Sequence, residues 1–243
     1  IKRTPVEQAH ALSKSVGREI WLKHEYLQRT GSYKVRGAYN RIAQLPPDVG
    51  VVAASAGNHA QGVALAAELT GRAATIYMPA SAPLPKIEAT RSYGATIELV
   101  DGGVDECLAL ATAHAEAGSA VFVPPFDDTE VIAGQGTVGL ELARDLPTGT
   151  DAVAFAIGGG GLISGSAVAL KALRPEIRIV GVEPEGAAAM RDSLRAGRCV
   201  TLDEVSTMAD GIAVKRVCDL TLAHAERYVD EIVTVSEEAI GTA

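Results

Sequence analysis

Short apolar runs, rich in β-branched residues or alanine, alternate along this chain with longer stretches of helical period. The runs at 19–25 (EIWLKHE), 51–55, 73–79, 95–100, 120–124, 152–158, 178–184 and 231–235 predict strands. The intervening stretches at 59–70, 84–93, 104–117, 130–145, 162–173 and 186–196 predict helices. Strand–helix alternation of this kind predicts βαβ units with right-handed crossovers and mainly parallel sheets. Two blocks echo each other as strand, glycine-bearing turn and helix: VVAASAGNHAQGVALAA (51–67) and AVAFAIGGGGLISGSAVAL (152–170). Ligands of open α/β sheets bind beyond the carboxyl ends of the strands, so each block aims a helix N-terminus at that rim. Two sheets facing one cleft would bring both turns together.

Composition narrows the function classes. Apolar residues make up 47% of the 243 and charged ones 21%, the balance of a globular protein and too apolar for disorder. A net charge of −8 without a basic stripe argues against a nucleic-acid partner. No run approaches the roughly 20 apolar residues that span a bilayer, so no membrane role is expected. The start IKRTPVEQAH has no signal-peptide core, and Cys107, Cys199 and Cys218 are odd in number and far apart. Reduced thiols in a cytoplasmic protein are therefore the expectation, with no metal-ligand spacing among them.

The candidate chemistry begins at TGSYKVRGAYN (30–40), where Lys34 stands between a small polar turn and a helix-like segment carrying few charges. A plain surface lysine on a first helical turn is one reading; a buried reactive amine is the other. Gly158–Gly161 follow a predicted strand and open a predicted helix, an arrangement suited to an anion nest. A P-loop would need Lys then Ser or Thr after the last glycine, and Gly165 is followed by Ser166 and Ala167. A dinucleotide fingerprint would find a ribose-binding acid in Glu183 but needs Gly or Ala where Ile163 stands. Close helix–strand packing is the bland alternative. In SAGNHAQG (55–62), small residues leave the helix-start N–H groups open to a carboxylate. There Asn58 either caps the helix or meets a ligand hydroxyl, and His59 reads more readily as structural than as an acid–base group. Taken together, an amine, a phosphate nest and a carboxylate-binding helix end point to pyridoxal 5′-phosphate with an amino acid.

The segments GSYKVRGAYN, SAGNHAQGVALAA, YMPASAPLPKIEATRSYGA, PFDDTEVIAGQGTVGLEL, GGGGLISG and ADGIAVKR, in this order, resemble the threonine dehydratase and serine dehydratase group of fold-type II pyridoxal-phosphate enzymes. The resemblance implies a tryptophan synthase β-like α/β fold of two open, mainly parallel twisted sheets, with the cofactor in an inter-domain cleft. It implies a large cofactor-binding domain of 1–37 and 129–243 and a small inserted domain of 38–128. Lys34 matches the Schiff-base lysine, and Tyr33 stands where relatives carry Phe. Asn58 matches the residue bonded to the cofactor's 3′-oxygen. Gly158, Gly159, Gly160 and Gly161, with the N–H of Leu162, match the phosphate loop, and Gly211 the glycine beside the ring. Ser55, Ala56, Gly57, Asn58 and His59 match the loop that receives the substrate carboxylate.

The implied reaction is β-elimination from L-threonine to 2-oxobutanoate and ammonia, and from L-serine to pyruvate, in amino-acid metabolism such as isoleucine biosynthesis. A homo-oligomer, dimer or tetramer, is implied as well. Ala56 replaces the serine that acts as opposite-face acid in serine racemase, which favours elimination over racemisation. Glu183 fits the first ligand of the group's divalent-cation site, but Ala189 replaces the second, so no metal is expected. The chain ends at SEEAIGTA, before the strand and turn that carry the pyridine-nitrogen partner in the group, so a continuation is expected. LPPDVGVVAAS is short for the group, and a dropped loop is expected near 46–50. The alternatives are a racemase-like enzyme and a truncated, non-catalytic module that holds cofactor or amino acid.

Overall fold

A computed structural model of the protein describes residues 1–118 and 120–243. The chain forms two compact units, Ile1–Gly134 and Gln135–Ala243.

The first unit opens with β1 (Val6–Gln8), α1 (His10–Val16) and β2 (Trp21–Lys23), followed by α2 (Lys34–Ala43). It continues through β3 (Gly50–Ala54), α3 (Asn58–Leu69), β4 (Ala74–Pro79), α4 (Leu84–Ser92), β5 (Thr96–Val100), α5 (Val104–Glu116) and β6 (Ala120–Phe122). Its main sheet has the order β5-β4-β3-β6, every pair parallel. The four residues Val51–Ala54 of β3 are all buried, as expected of a central parallel strand covered on both faces. Val51 and Ala53 face a core with Val63, Ile76 and Met78, whereas Val52 and Ala54 face Cys107 and Ala111 of α5. Each fully buried Val or Ile of this core contributes about 1.5–3 kcal/mol.

α6 (Thr129–Asp145) runs across the boundary between the units. The second unit holds β7 (Ala152–Ala156), α7 (Gly161–Leu173), β8 (Arg178–Pro184), α8 (Ala189–Ala196), α9 (Asp219–Tyr228), β9 (Glu231–Val235) and α10 (Glu237–Thr242). Its sheet has the order β7-β8-β9 and is again parallel. The glycines of IAGQGTVG serve packing. A Cβ on Gly134 would stand 2.5 Å from the Arg36 carbonyl oxygen, and one on Gly139 would stand 2.5 Å from that of Ser166.

Two expectations shift. The run at 19–25 pairs antiparallel with β1, Val6 opposite Lys23, and so stays outside the parallel sheets. The helix expected from 186 starts at Ala189 after a 3₁₀ turn, Glu185–Ala187. Arg36 of α2 forms a two-pronged pair with Glu25, at 2.9 Å and 2.8 Å, and donates to the Lys2 carbonyl. That buried pair ties the first residues to the helix that begins at Lys34. No helix among the described residues is long and apolar enough to cross a membrane.

Candidate active site

Lys34 is the first residue of α2, and its backbone lies against α3. A Cβ on Gly62 would come within 3.1 Å of the Lys34 carbonyl carbon, so the glycine permits the close approach. The Lys34 Nζ donates to the Pro125 carbonyl at 2.9 Å and sits 5.6 Å from the centroid of the Tyr33 ring. Burial strips water from the amine and lowers its pKa from the usual lysine value to about 8. The same cause pushes the Tyr33 phenol up to about 12. Lys34 is therefore no surface lysine.

Around it lies the Ser55–His59 turn, between β3 and α3. Gly57 precedes the helix and donates its N–H to the Ser55 Oγ at 3.1 Å. Gln61 is the first residue whose N–H closes onto the Gly57 carbonyl, at 3.2 Å. Helix geometry thus leaves the N–H groups of Asn58, His59 and Ala60 at an open, partly positive end. No side chain caps this helix: Asn58 is its first residue, and its amide is exposed. Ser55 and Ala56 are half-buried.

His59 is buried, and its Nε2–H donates to the Val123 carbonyl at 2.8 Å, which fixes the tautomer. Its Nδ1 is buried without a hydrogen-bond partner. Burial, with the Lys34 charge second, lowers its pKa to about 3, against the opposing pull of the Val123 bond. A neutral, positioned imidazole is the result, in line with the structural reading. It also registers Lys34 as a close neighbour.

The second unit holds the four-glycine turn. The Ile157 N–H still pairs with β8 through the Val182 carbonyl at 2.8 Å, and α7 begins at Gly161. Gly160 has φ +89°, and a Cβ there would stand 2.7 Å from the Met190 Cε and 3.1 Å from the Thr221 Cβ. Only glycine fits. Ser164 is the first to bond back, to the Gly160 carbonyl at 2.9 Å, so the N–H groups of Gly161, Leu162 and Ile163 point out of the helix end. Gly158 is close to the ADGIAV segment, since its Cβ would meet the Ile212 Cα at 3.1 Å. Gly211 is exposed with open space beside it.

Glu183 is spoken for. Its fully buried carboxylate accepts from the N–H groups of Met190 and Arg191, at 2.8 Å and 2.9 Å, and so holds the start of α8. Burial raises its pKa against the pull of those bonds. A ribose-binding role for this acid finds no support in that geometry.

Lys34, Tyr33 and Ser55–His59 gather in the first unit, and Gly158–Leu162 with the Gly211 segment in the second. Sequence reasoning missed the carbonyls of Val123 and Pro125, the Arg36–Glu25 pair and Lys86. The Lys86 side chain lies over the turn: a Cβ on Gly57 would stand 2.9 Å from its Cδ and 3.0 Å from its Nζ. Backbone acceptors carry no letter in a sequence, and a helical lysine between apolar residues reads as solvated.

The profile of the family described as "Pyridoxal-phosphate dependent enzyme" matches residues 1–243. The L-threonine ammonia-lyase of Thermotoga maritima is 51% identical over 246 residues, with all of this chain aligned. The chain spans 61% of that relative's length. Among solved structures, the processed form of threonine deaminase isoform 2 from Solanum lycopersicum superposes with a TM-score of 0.96 at 43% identity. That match covers 100% of this chain and 71% of the other. Maize serine racemase gives 0.95 at 39% identity, covering 100% and 74%.

Proposed function

The chain belongs to the family of pyridoxal-phosphate dependent enzymes, and from that premise we propose that it catalyses β-elimination of L-threonine to 2-oxobutanoate and ammonia, with L-serine giving pyruvate. The observation that carries the reading is Lys34: a half-buried lysine at a helix start, its pKa lowered to about 8, beside an open helix end suited to a carboxylate. The residues present fit the cofactor. Lys34 would bond its aldehyde carbon. The turn Gly158–Gly161, which a Cβ at Gly160 would obstruct, would hold its phosphate on backbone N–H groups, that of Leu162 included. Asn58, exposed and capping nothing, would bond its ring oxygen, with Tyr33 and Gly211 beside the ring.

When bound, the cofactor supplies an electron sink for the pair left on Cα as its proton departs. The rest falls to the protein. The N–H groups at the start of α3, with Ser55, Ala56 and Gly57, orient the substrate carboxylate. Lys34, whose ammonium has a pKa of about 8 and so stands partly neutral near pH 7, takes the α-proton. The Pro125 carbonyl holds that nitrogen in place. His59 stays neutral and rigid. The β-hydroxyl leaves, and hydrolysis of the product yields the 2-oxo acid and ammonia.

The resemblance to maize serine racemase favours racemisation as the second reading. Ala56, which offers no hydroxyl for an opposite-face proton, weighs toward elimination. The wider proposal includes a homo-oligomer acting in the cytoplasm, and a cofactor-binding part made of 1–37 and 129–243 with 38–128 inserted. The test is direct. With pyridoxal 5′-phosphate added, threonine should give 2-oxobutanoate and ammonia in equal amounts, and borohydride should fix the cofactor to Lys34 irreversibly. Cofactor fixed at Lys34 with neither keto acid nor D-serine formed would leave a binding module in place of an enzyme.

A further inference from the structure

We propose that Cys199 and Cys218 are a reversible thiol–disulfide pair, closed by exchange with a small-molecule disulfide, whose bond staples the end of α8 to the start of α9 behind the Gly158–Gly161 turn. The inference goes beyond the elimination reading and does not rest on it.

Thr201 and Arg216 form an antiparallel bridge, and the Leu202 N–H donates to the Lys215 carbonyl at 2.9 Å. Two residues outward on each side, the same register sets Cys199 opposite Cys218. The side chains alternate as that register requires: Arg216 is exposed, Val217 is fully buried and Cys218 is half-buried. The backbone is still extended at Cys218, with φ −111° and ψ 161°. The Cys199 thiol is an independent marker, because it donates to the Asp219 Oδ1 at 3.1 Å. Its sulfur therefore reaches the residue next to Cys218. Facing residues of an antiparallel pair stand about 4.5–5.5 Å apart at Cα, within the about 4.4–6.8 Å that a disulfide spans. Both cysteines are thiols in this structure, and both are half-buried.

The pair sits where a bond would be felt. Cys199 follows α8, and Cys218 is the residue that precedes α9. Each helix sets a side chain against Gly160, where a Cβ would stand 2.7 Å from the Met190 Cε and 3.1 Å from the Thr221 Cβ. The Thr221 hydroxyl in turn donates to the Cys218 carbonyl at 3.1 Å. A disulfide would close a loop through the ADGIAV segment and tie together the two helices that wall the glycine turn. Burial first, and then the bond to Asp219, raise the Cys199 pKa and keep that thiol protonated. The exchange therefore opens at Cys218, whose thiolate attacks the small disulfide and releases one small thiol. The Cys199 sulfur then displaces the second small thiol from the mixed disulfide, and its proton passes to the Asp219 carboxylate. Two protein thiols are oxidised, and one small disulfide is reduced to two thiols.

The test equilibrates the full chain with glutathione and glutathione disulfide over a series of ratios and traps the remaining thiols with N-ethylmaleimide. Trypsin cuts after Arg198, Lys215, Arg216 and Arg227, so the oxidised chain should give 199–215 joined to 217–227 in the mass spectrum. Cys107, fully buried, should remain a thiol. The unfolding midpoint of the oxidised chain should rise by about 5–10 °C, and amide hydrogen exchange across 158–164 should slow. Both changes should reverse with dithiothreitol and be absent in Cys199→Ser and in Cys218→Ser. Separate glutathione adducts on the two cysteines, thiols that survive the most oxidising ratio, or links between two chains would overturn the pairing. Joined peptides with an unchanged midpoint and unchanged exchange across 158–164 would overturn the staple.

Discussion

The turn at Ser55–His59 and the turn at Gly158–Gly161 occupy the same place in their units: each follows a parallel strand and opens a helix. They differ in what they offer a ligand. The first is set among side chains, with Lys34, His59 and Lys86 within reach, and the pKa values of two of them are displaced by burial. The second offers backbone alone, with Met190 and Thr221 packed so closely that no Cβ fits at Gly160. One turn is tuned by titratable groups and the other by shape. A change of chemistry should therefore damage the first without unfolding it, and a change of volume should damage the second in both respects.

The largest effect should come from Lys34→Ala. Loss of the amine proposed to take the α-proton should cut kcat for threonine by at least about 10³-fold. The visible absorbance of the lysine-bound cofactor should vanish with it. Far-ultraviolet circular dichroism should keep its wild-type shape. A Lys34→Ala protein that still turned over threonine would break the side-chain half of the comparison.

Gly160→Ala tests the other half. An alanine held at φ +89° is strained, and its methyl, 2.7 Å from the Met190 Cε and 3.1 Å from the Thr221 Cβ, makes those packed side chains give way. We expect a loss of about 1–3 kcal/mol in stability, read by urea unfolding, together with weaker cofactor binding. Asn58→Ala is the smaller counterpart. The exposed amide caps nothing, so stability should hold within about 0.5 kcal/mol while cofactor affinity falls about tenfold. Equal stability losses in the two variants would erase the distinction.

The same distinction governs how much could be read from the amino-acid letters. Glycine runs, small residues after a strand and an isolated lysine are visible because they are choices against the usual composition of helices and turns. Periodicity also placed the buried strands, since VVAA in β3 permits little else. Elements fixed by distant partners were harder. Val6–Gln8 is too short to show a period and is a strand only because Trp21–Lys23 lies opposite. TLAHAERY in α9 looks polar, and Thr221, Leu222 and Ala225 bury one narrow face. Glu183 carried two ligand-binding readings, and its helix-capping role depends on a tight bend after β8 that no spacing announces. Asn58 reads as a cap by residue type, yet it stands one position inside the helix and caps nothing.

The smallest effect concerns stability, and its sign runs against intuition. The folded-state pKa of Lys34, about 8, lies below the value of a free lysine. Between pH 8 and the unfolded value, the unfolded chain binds the extra proton, so the cofactor-free chain gains stability as pH rises through that window. Below pH 8 both states are protonated and the full cost of burying the charge remains. Lys34→Met keeps the stem without the charge, so at pH 7 the cofactor-free variant should be more stable than the wild type. The expected gain is about 1 kcal/mol after allowing for the partial exposure of the side chain. The gain should shrink toward pH 10 as the wild-type amine becomes neutral in the folded chain. A thermal-shift series from pH 7 to pH 10 in the two cofactor-free proteins reads both trends. A variant less stable than the wild type at pH 7 would mean that the Lys34–Pro125 bond outweighs the desolvation of the amine, and the lowered pKa would lose its cause.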